Sequence, residues 1–361
     1  MAERVRRDGP LRFDVFQEAA LYDPDGGYYE RPGRVGRSGD FITAASWHPA
    51  FARSLARVAR NLREELGEPI DVVDVGAGEG ELLLGIGREL DTGDFRLTGV
   101  DRSKTRRTRA RERLPGASWF SSLEELPRFS GLLVAYELFD ALPVRALFLE
   151  GEKLVERAVD VSADGSFHWV DVPCEDSRAI LQGLRARGAV LREGQLLEVR
   201  PAARALSLSL AEKISSGLVL VFDYGARAPA LYGPARFSGT LEAFRAHRVS
   251  RDVLAEPGSC DVTAWVDFTE VEEAFRASGL AVAGLVSQSR FLAAAGIAEE
   301  IAAAEARPSE AERLAERHAI GELVAPGGMG ESIRVLVASR DTALGARFVE
   351  WPVSGIVPSN H

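Results

Sequence analysis

Two cysteines in 361 residues, Cys174 and Cys260, leave no material for a disulfide framework, and no C-x-x-C spacing suggests zinc. Long apolar runs are missing as well, and none reaches membrane-spanning length. The opening MAERVRRDGP carries base with no apolar segment behind it, so a secretory signal is not expected. Excess base is absent from the whole: the formal charge is −10 and the pI near 5.3. Phosphate recognition needs clustered positive charge, so nucleic acid is excluded as the expected partner. No internal repeat and no low-complexity linker divides the chain. What remains is a soluble, cytoplasmic protein without a metal or a membrane-inserted segment. Its 46% hydrophobic content supports a proper core, in one large domain or two.

The most informative stretch is IDVVDVGAGEGE, Ile70 to Glu81. Asp71 to Val75 is a short β-branched run that predicts a buried parallel strand. Gly76-Ala77-Gly78-Glu79-Gly80 follows, and Leu82, Leu83, Leu84 and Ile86 continue at helical spacing. Strand, glycine turn and helix form the first unit of a nucleotide-binding α/β fold. Glycines there let backbone lie against a ligand, and the helix start offers free N–H groups. A dinucleotide fingerprint requires G-x-G-x-x-G. Here the third glycine, Gly80, comes one residue early, and Glu81 stands where that glycine belongs. The compact spacing favours S-adenosylmethionine (SAM) over NAD. A second strand, Phe95 to Val100, ends in Asp101, an acid placed to bind a ribose diol in either cofactor class.

Around this unit the chain reads in order. Phe13, Phe16, Ala20 and Leu21 share one face of a helix over 11–22. A long irregular stretch follows and ends in Gly39-Asp40-Phe41-Ile42-Thr43, a loop of a length that is usually functional. Pro49 to Leu66 is a strongly amphipathic helix. After Asp101 comes a basic helix, RSKTRRTRARERL, expected to be mostly a solvated face. Strands are predicted at 117–120, 131–135, 217–222, 280–287 and 333–338, helices at 201–214 and 271–278, and one long helix at 297–319. Residues 151–172 alternate as a hairpin turning at Asp164-Gly165. The expected division is an N-terminal extension with a covering loop (1–69), a core (70–225, with an insert at 151–192), a substrate-side insertion (226–280) and closing elements (281–361). These inserts are expected to decorate one sheet. The fourth strand leads into Tyr136-Glu137-Leu138-Phe139-Asp140-Ala141-Leu142-Pro143, and Glu137 and Asp140 fall at a strand edge where open α/β sheets build their sites.

Several stretches together resemble one family. Tyr28-Tyr29, the Gly39–Thr43 run, Asp74-Val75-Gly76-Ala77-Gly78-Glu79-Gly80, the Glu137–Pro143 box and Asp223-Tyr224-Gly225 look like its motifs. So do Gly239-Thr240-Leu241, Arg245 with His247, Asp261-Val262-Thr263-Ala264 and Val266-Asp267-Phe268. The chain thereby resembles the MidA / DUF185 family of class I SAM-dependent methyltransferases, relatives of the mitochondrial complex I assembly factor that methylates a protein arginine. The resemblance runs over about residues 11–338. It departs at Ala45-Ser46, where the family has Pro-Glu, at Tyr136 for Asn, at Asp101 for Glu and at Trp265 for His.

The resemblance implies a Rossmann-like α/β sheet with an N-terminal helical extension and inserted segments, and SAM as cofactor. Its cofactor side implies Gly39, Asp40, Phe41, Thr43, Asp74, Gly76, Ala77, Gly78, Gly80, Asp101 and Arg102, with Phe120, Ser121 and Ser122 near the adenine and Glu137 at the far end. For the acceptor it implies Glu137 and Asp140, with His247 and Asp267 as secondary candidates. An arginine acceptor suits carboxylates, because a guanidinium (pKa above about 12) is gripped by paired acids and is not deprotonated beforehand. The partner implied is a protein substrate, a respiratory complex I subunit in particular. Two other readings stay open: a SAM-binding assembly or scaffold protein without turnover, and a small-molecule methyltransferase.

Overall fold

The computed structural model describes residues 1–30, 43–91, 93–245 and 248–350. Its centre is a sheet whose main strands are β1 (Ile70–Val75), β2 (Phe95–Val100), β3 (Ser118–Phe120), β4 (Phe129–Tyr136), β5 (Ile214–Ala226), β6 (Ala281–Ser287) and β7 (Ile333–Arg340). The spatial order is β6-β7-β5-β4-β1-β2-β3, and Val266–Asp267 adds a short parallel piece to the end of β5. Pairs from β3 across to β5 are parallel, whereas β7 runs antiparallel to both of its neighbours. Strand order therefore reverses between β1 and β4. Connections leave these two strands in opposite directions, and a crevice opens beyond their carboxyl ends.

Apolar side chains explain why the sheet is covered on both faces. The Pro49–Leu66 helix starts with His48 as cap and Pro49 in its first turn, and it stops at Gly67 in a left-handed conformation. Its buried stripe of Phe51, Leu55, Val58, Ala59 and Leu62 packs on one face of the sheet. Each large member contributes roughly 2 kcal/mol by leaving water. The opposite face is covered by Pro201–Lys213 and Phe268–Ala277.

Two expectations change. A single helix over 297–319 is in fact two, Ile297–Glu305 and Glu310–Val324. Pro308 interrupts the pattern, and Ser309 with Glu312 forms a complete capping box. The inserts also do more than decorate one sheet. Arg145–Glu150, Lys153–Val161, Phe167–Pro173, Leu196–Val199 and the N-terminal Leu11–Arg12 form a second, antiparallel sheet. It carries its own apolar clusters, one shared with the Phe13–Tyr22 helix. The stretch at 226–266 holds a small three-stranded sheet of Arg248–Ser250, Glu242–Arg245 and Asp261–Thr263. Gln17 ties these parts together: fully buried, it donates to Val262 O at 2.8 Å and accepts from Val144 N at 2.9 Å. Among the described residues, no helix is long and apolar enough to cross a membrane.

Glycine sets how closely β1, β4 and β5 approach at their starts. Gly131 and Gly217 lie at φ +150° and +131°, and a Cβ on Gly217 would fall 1.9 Å from Gly131 O. Alanine there would force the strands apart in a conformation that L-residues avoid. Gly217→Ala is expected to cost about 2 kcal/mol or more in urea unfolding, while Gly116→Ala, with open space around it, should stay within about 0.5 kcal/mol of wild type.

Candidate active site

A cavity of about 520 Å³ opens at the crevice beyond β1, β2 and β4. The loop after β1 forms its floor. Gly76 N and Ala77 N both donate to Val100 O, at 2.8 and 3.1 Å, so the turn is fastened to the end of β2. Asp101, the next residue of that strand end, accepts from Gly78 N at 2.9 Å on one carboxylate oxygen and from Ser103 N at 2.8 Å on the other. Each oxygen keeps a further acceptor position. Burial raises the Asp101 pKa, opposed by Arg106 and by these two N–H groups. Asp74, also in the wall, is pushed up to about 7, first by burial and then by Asp101 and Glu81.

The three glycines have different jobs. Gly76 and Gly78 line the cavity, and a Cβ on Gly78 would meet Arg106 Nη1 at 3.9 Å. Gly80 does not line it: its missing side chain admits the Trp119 ring, which would lie 2.8 Å from a Cβ. The expected ligand contact at Gly80 is thus replaced by packing beneath the Glu81–Gly87 helix.

The basic helix Lys104–Arg113 is mostly solvated, as expected, but its arginines are engaged. Arg109 pairs with Glu79 at 2.8 Å and Arg113 with Glu81 at 3.1 Å, while Arg107 donates to Asp101 O at 2.5 Å. Arg106 donates to Tyr29 O at 3.1 Å and lies 4.6 Å over the Tyr29 ring. Arg102 grips Glu18 at 2.6 Å and stacks 3.9 Å over Tyr22. Tyr22 and Tyr29 are themselves 5.2 Å apart. The helix's arginines therefore brace the glycine loop and bind the N-terminal extension to it, leaving both tyrosines as cavity wall. Arg102 lines the cavity as expected, with its guanidinium already engaged.

The opposite wall is acidic. Glu137 takes φ +47°, a conformation uncommon for a residue with a side chain, and its N–H donates to Phe222 O at 2.8 Å. Among the described residues its buried Oε1 has no hydrogen-bond partner, and neither has the buried Asp140 Oδ1. Burial raises both pKa values, and the Asp140 charge raises Glu137 further. Glu137 lines the cavity while Asp140 sits behind it. Asp261, which accepts from Tyr29 Oη at 2.7 Å, adds negative charge from the small sheet.

Other expected residues fall into place or out of it. Thr43 lines the cavity and caps the Ala44–Trp47 turn, with Ser46 completing a reciprocal box. The departure at Ser46 is thus a helix cap. Tyr136 accepts from Ala44 N at 3.1 Å and so docks the same turn on the acidic wall. Trp265 lies away from the cavity, under Arg236 at 3.3 Å. Ser121 and Ser122 line the cavity, but Phe120 packs into the core. Asp267 is corrected as an acceptor-side acid: it caps the Phe268–Ala277 helix through Thr269 N at 2.9 Å and meets Arg187 at 3.4 Å. Gly39, Asp40, Phe41 and His247 lie outside the described residues. Tyr22, Arg106 and the Ala202, Ala205, Leu206 and Ser209 face of a helix were not anticipated; of these only the helix face carried a readable signal, its i, i+3, i+4, i+7 spacing.

Comparison with known proteins agrees with this geometry. A family model of S-adenosyl-L-methionine-dependent methyltransferases matches residues 50–286. A crystal structure of a superfamily relative from Burkholderia thailandensis, bound to S-adenosyl-homocysteine, superposes with a TM-score of 0.86. It is 32% identical, over 96% of this chain and 92% of that one. The protein arginine methyltransferase NDUFAF7 of Xenopus laevis is 27% identical over 73% of this chain and 66% of its own length. Its Drosophila melanogaster homologue is 29% identical over 80% of this chain and 72% of its own. The β1-to-β4 switch point, the glycine loop pinned by Asp101 and the family match together establish that the chain belongs to the MidA / DUF185 family of class I SAM-dependent methyltransferases.

Proposed function

We propose that this methyltransferase acts on a protein arginine, and that Glu137 and Asp140 hold the guanidinium. The observation carrying this reading is a pair of buried carboxylate oxygens that have no hydrogen-bond partner among the described residues, Glu137 Oε1 on the cavity wall and Asp140 Oδ1 just behind it. A buried acceptor without a donor costs about 1–3 kcal/mol, so the wall is built for an incoming group rich in N–H. A planar cation with several donors satisfies both oxygens and cancels their repulsion. The names of the NDUFAF7 relatives support the same class of acceptor. Within it, a respiratory complex I subunit is the substrate that the family resemblance favours.

The residues present fit the cofactor. Gly76, Ala77 and Gly78 offer a backbone cradle, Asp101 has spare acceptor positions for a diol, and Asp74 supplies negative charge. When bound, S-adenosyl-L-methionine supplies an electrophilic methyl group. The chain's own work is positioning and charge management. Tyr22 and Tyr29, stiffened by the arginines behind them, keep water from one side. Glu137 and Asp140 orient the acceptor nitrogen. Once the guanidinium is methylated it releases a proton, and Glu137 Oε1, raised above the ordinary carboxylate range, can accept it.

Two outcomes are expected. Labelled-methyl transfer to arginine in protein substrates should fall about 100-fold in Glu137→Gln and in Asp140→Asn; transfer to lysine or to small metabolites alone, or indifference to both substitutions, would overturn the reading. The second concerns pH. Asp74 is neutral below its pKa of about 7 and charged above it, so affinity for the cationic cofactor should climb roughly tenfold from pH 6 to 8. Asp74→Asn should flatten that climb in a calorimetric titration.

A further inference from the structure

The 137–142 turn is held from both of its backbone faces by one buried anion and one buried cation, neither of which lines the cavity. The anion is Asp223, at the end of β5 and fully buried. Its Oδ2 accepts from Phe139 N at 2.8 Å and from Asp140 N at 3.2 Å, while Oδ1 accepts from Tyr224 N at 2.9 Å. The cation is Arg200, which precedes the Pro201–Lys213 helix and is 6% exposed. Among the described residues its guanidinium donates only to carbonyls: Nε to Leu142 O at 3.1 Å, Nη2 to Asp140 O at 3.2 Å and Ala264 O at 2.7 Å, and Nη1 to Trp265 O at 3.1 Å. Ala264 N also donates to Asp140 O, at 3.3 Å.

A guanidinium spent wholly on main-chain carbonyls is an unusual use of a buried charge. Burial lowers the Arg200 pKa, and the nearby Asp223 and Asp140 charges oppose that. The turn needs the help. Glu137 sits in the left-handed region, and its carboxylate and that of Asp140 repel each other while each leaves an oxygen without a donor. Left alone, such a turn would relax by swinging one acid away.

We propose that Asp223 and Arg200 are positioning residues for methyl transfer, an anion on the N–H face and a cation on the C=O face that together keep Glu137 and Asp140 side by side. This rests on the reading of those two acids as the acceptor's binding groups. The fork of Arg200 spans the acidic turn and the 264–265 segment at once, which a lysine ammonium, a single point of donation, cannot do. Asp223→Asn keeps one oxygen for Phe139 and Asp140 but loses the acceptor for Tyr224.

The test is hydrogen exchange on the full chain, read on the peptide covering 136–143 and on the Ile70–Val75 strand, with wild type, Asp223→Asn, Asp223→Ala and Arg200→Lys. Expected is a rise of roughly tenfold at Phe139 and Asp140 in Asp223→Ala and Arg200→Lys, a smaller rise in Asp223→Asn, and no change in the strand. Transfer should follow the same ranking in kcat while the KM for SAM stays within about twofold. Should Asp223→Ala fail to fold, the other two variants decide. Unchanged exchange in the turn would overturn the proposal, as would a rise spread evenly over the sheet with Asn no better than Ala. Exchange needs no acceptor, so a wrong assignment of arginine would show as absent transfer beside the expected exchange pattern.

Discussion

Everything in the site depends on the parallel pairing of β1 with β4 at the point where strand order reverses. Asp71 to Val75 lies in register with Gly131 to Ala135, and the next parallel pairing sets Tyr136 against Phe222. The glycine loop, the acidic turn and the end of β5 therefore leave the sheet at one level. A slip of one residue would turn Asp74 and the acids toward the wrong faces. Gly131, where a Cβ would fall 2.0 Å from Asp71 O, lets β4 lie this close to β1 and makes that slip costly, which is why a cofactor floor and an acceptor wall from distant parts of the sequence share one cavity.

The additions to the sheet serve this crevice. The second sheet is fastened to the N-terminal extension by Leu11–Arg12 and by the cluster around Phe13, Phe16 and Val159. That extension delivers Tyr22 and Tyr29; Arg102, just ahead of the helix after β2, and Arg106 within it stack against them. On the other side, the Glu310–Val324 helix holds the turn that begins at Thr43: Trp47 Nε1 donates to Ala319 O at 2.7 Å, and His48 lies 3.3 Å from Glu316. Charge inside the molecule is used for placement. The exposed Arg102–Glu18 pair contributes little by itself, about 0–1 kcal/mol, so its value lies in fixing geometry.

Much of this was legible in sequence. The strand–glycine–helix unit, the Pro49–Leu66 helix and the Asp164-Gly165 hairpin were readable because each carries a local period or a turn residue with one conformational meaning. Asp101 was readable because the acid ends a strand. Local pattern failed where the fold brings distant groups together. No period marks Arg200 as a clamp on carbonyls 58 to 65 residues away, whereas the cap at Asp267 had a local sign, an acid followed three residues later by Glu270. Gly80 misled for a related reason: a glycine that admits a ligand and one that admits a tryptophan from β3 look the same in sequence. The break at Pro308 also had a local signal, the Ser309-x-x-Glu312 box.

The central claim is that the loop pinned by Asp101 is a SAM site. Calorimetric titration of S-adenosylhomocysteine into wild type and Asp101→Ala tests it most directly. The account predicts saturable one-to-one binding that weakens about 30-fold or more in the variant, as expected for losing charge-assisted hydrogen bonds worth roughly 2–3 kcal/mol. No binding to the wild type, or equal binding to both proteins, would contradict it.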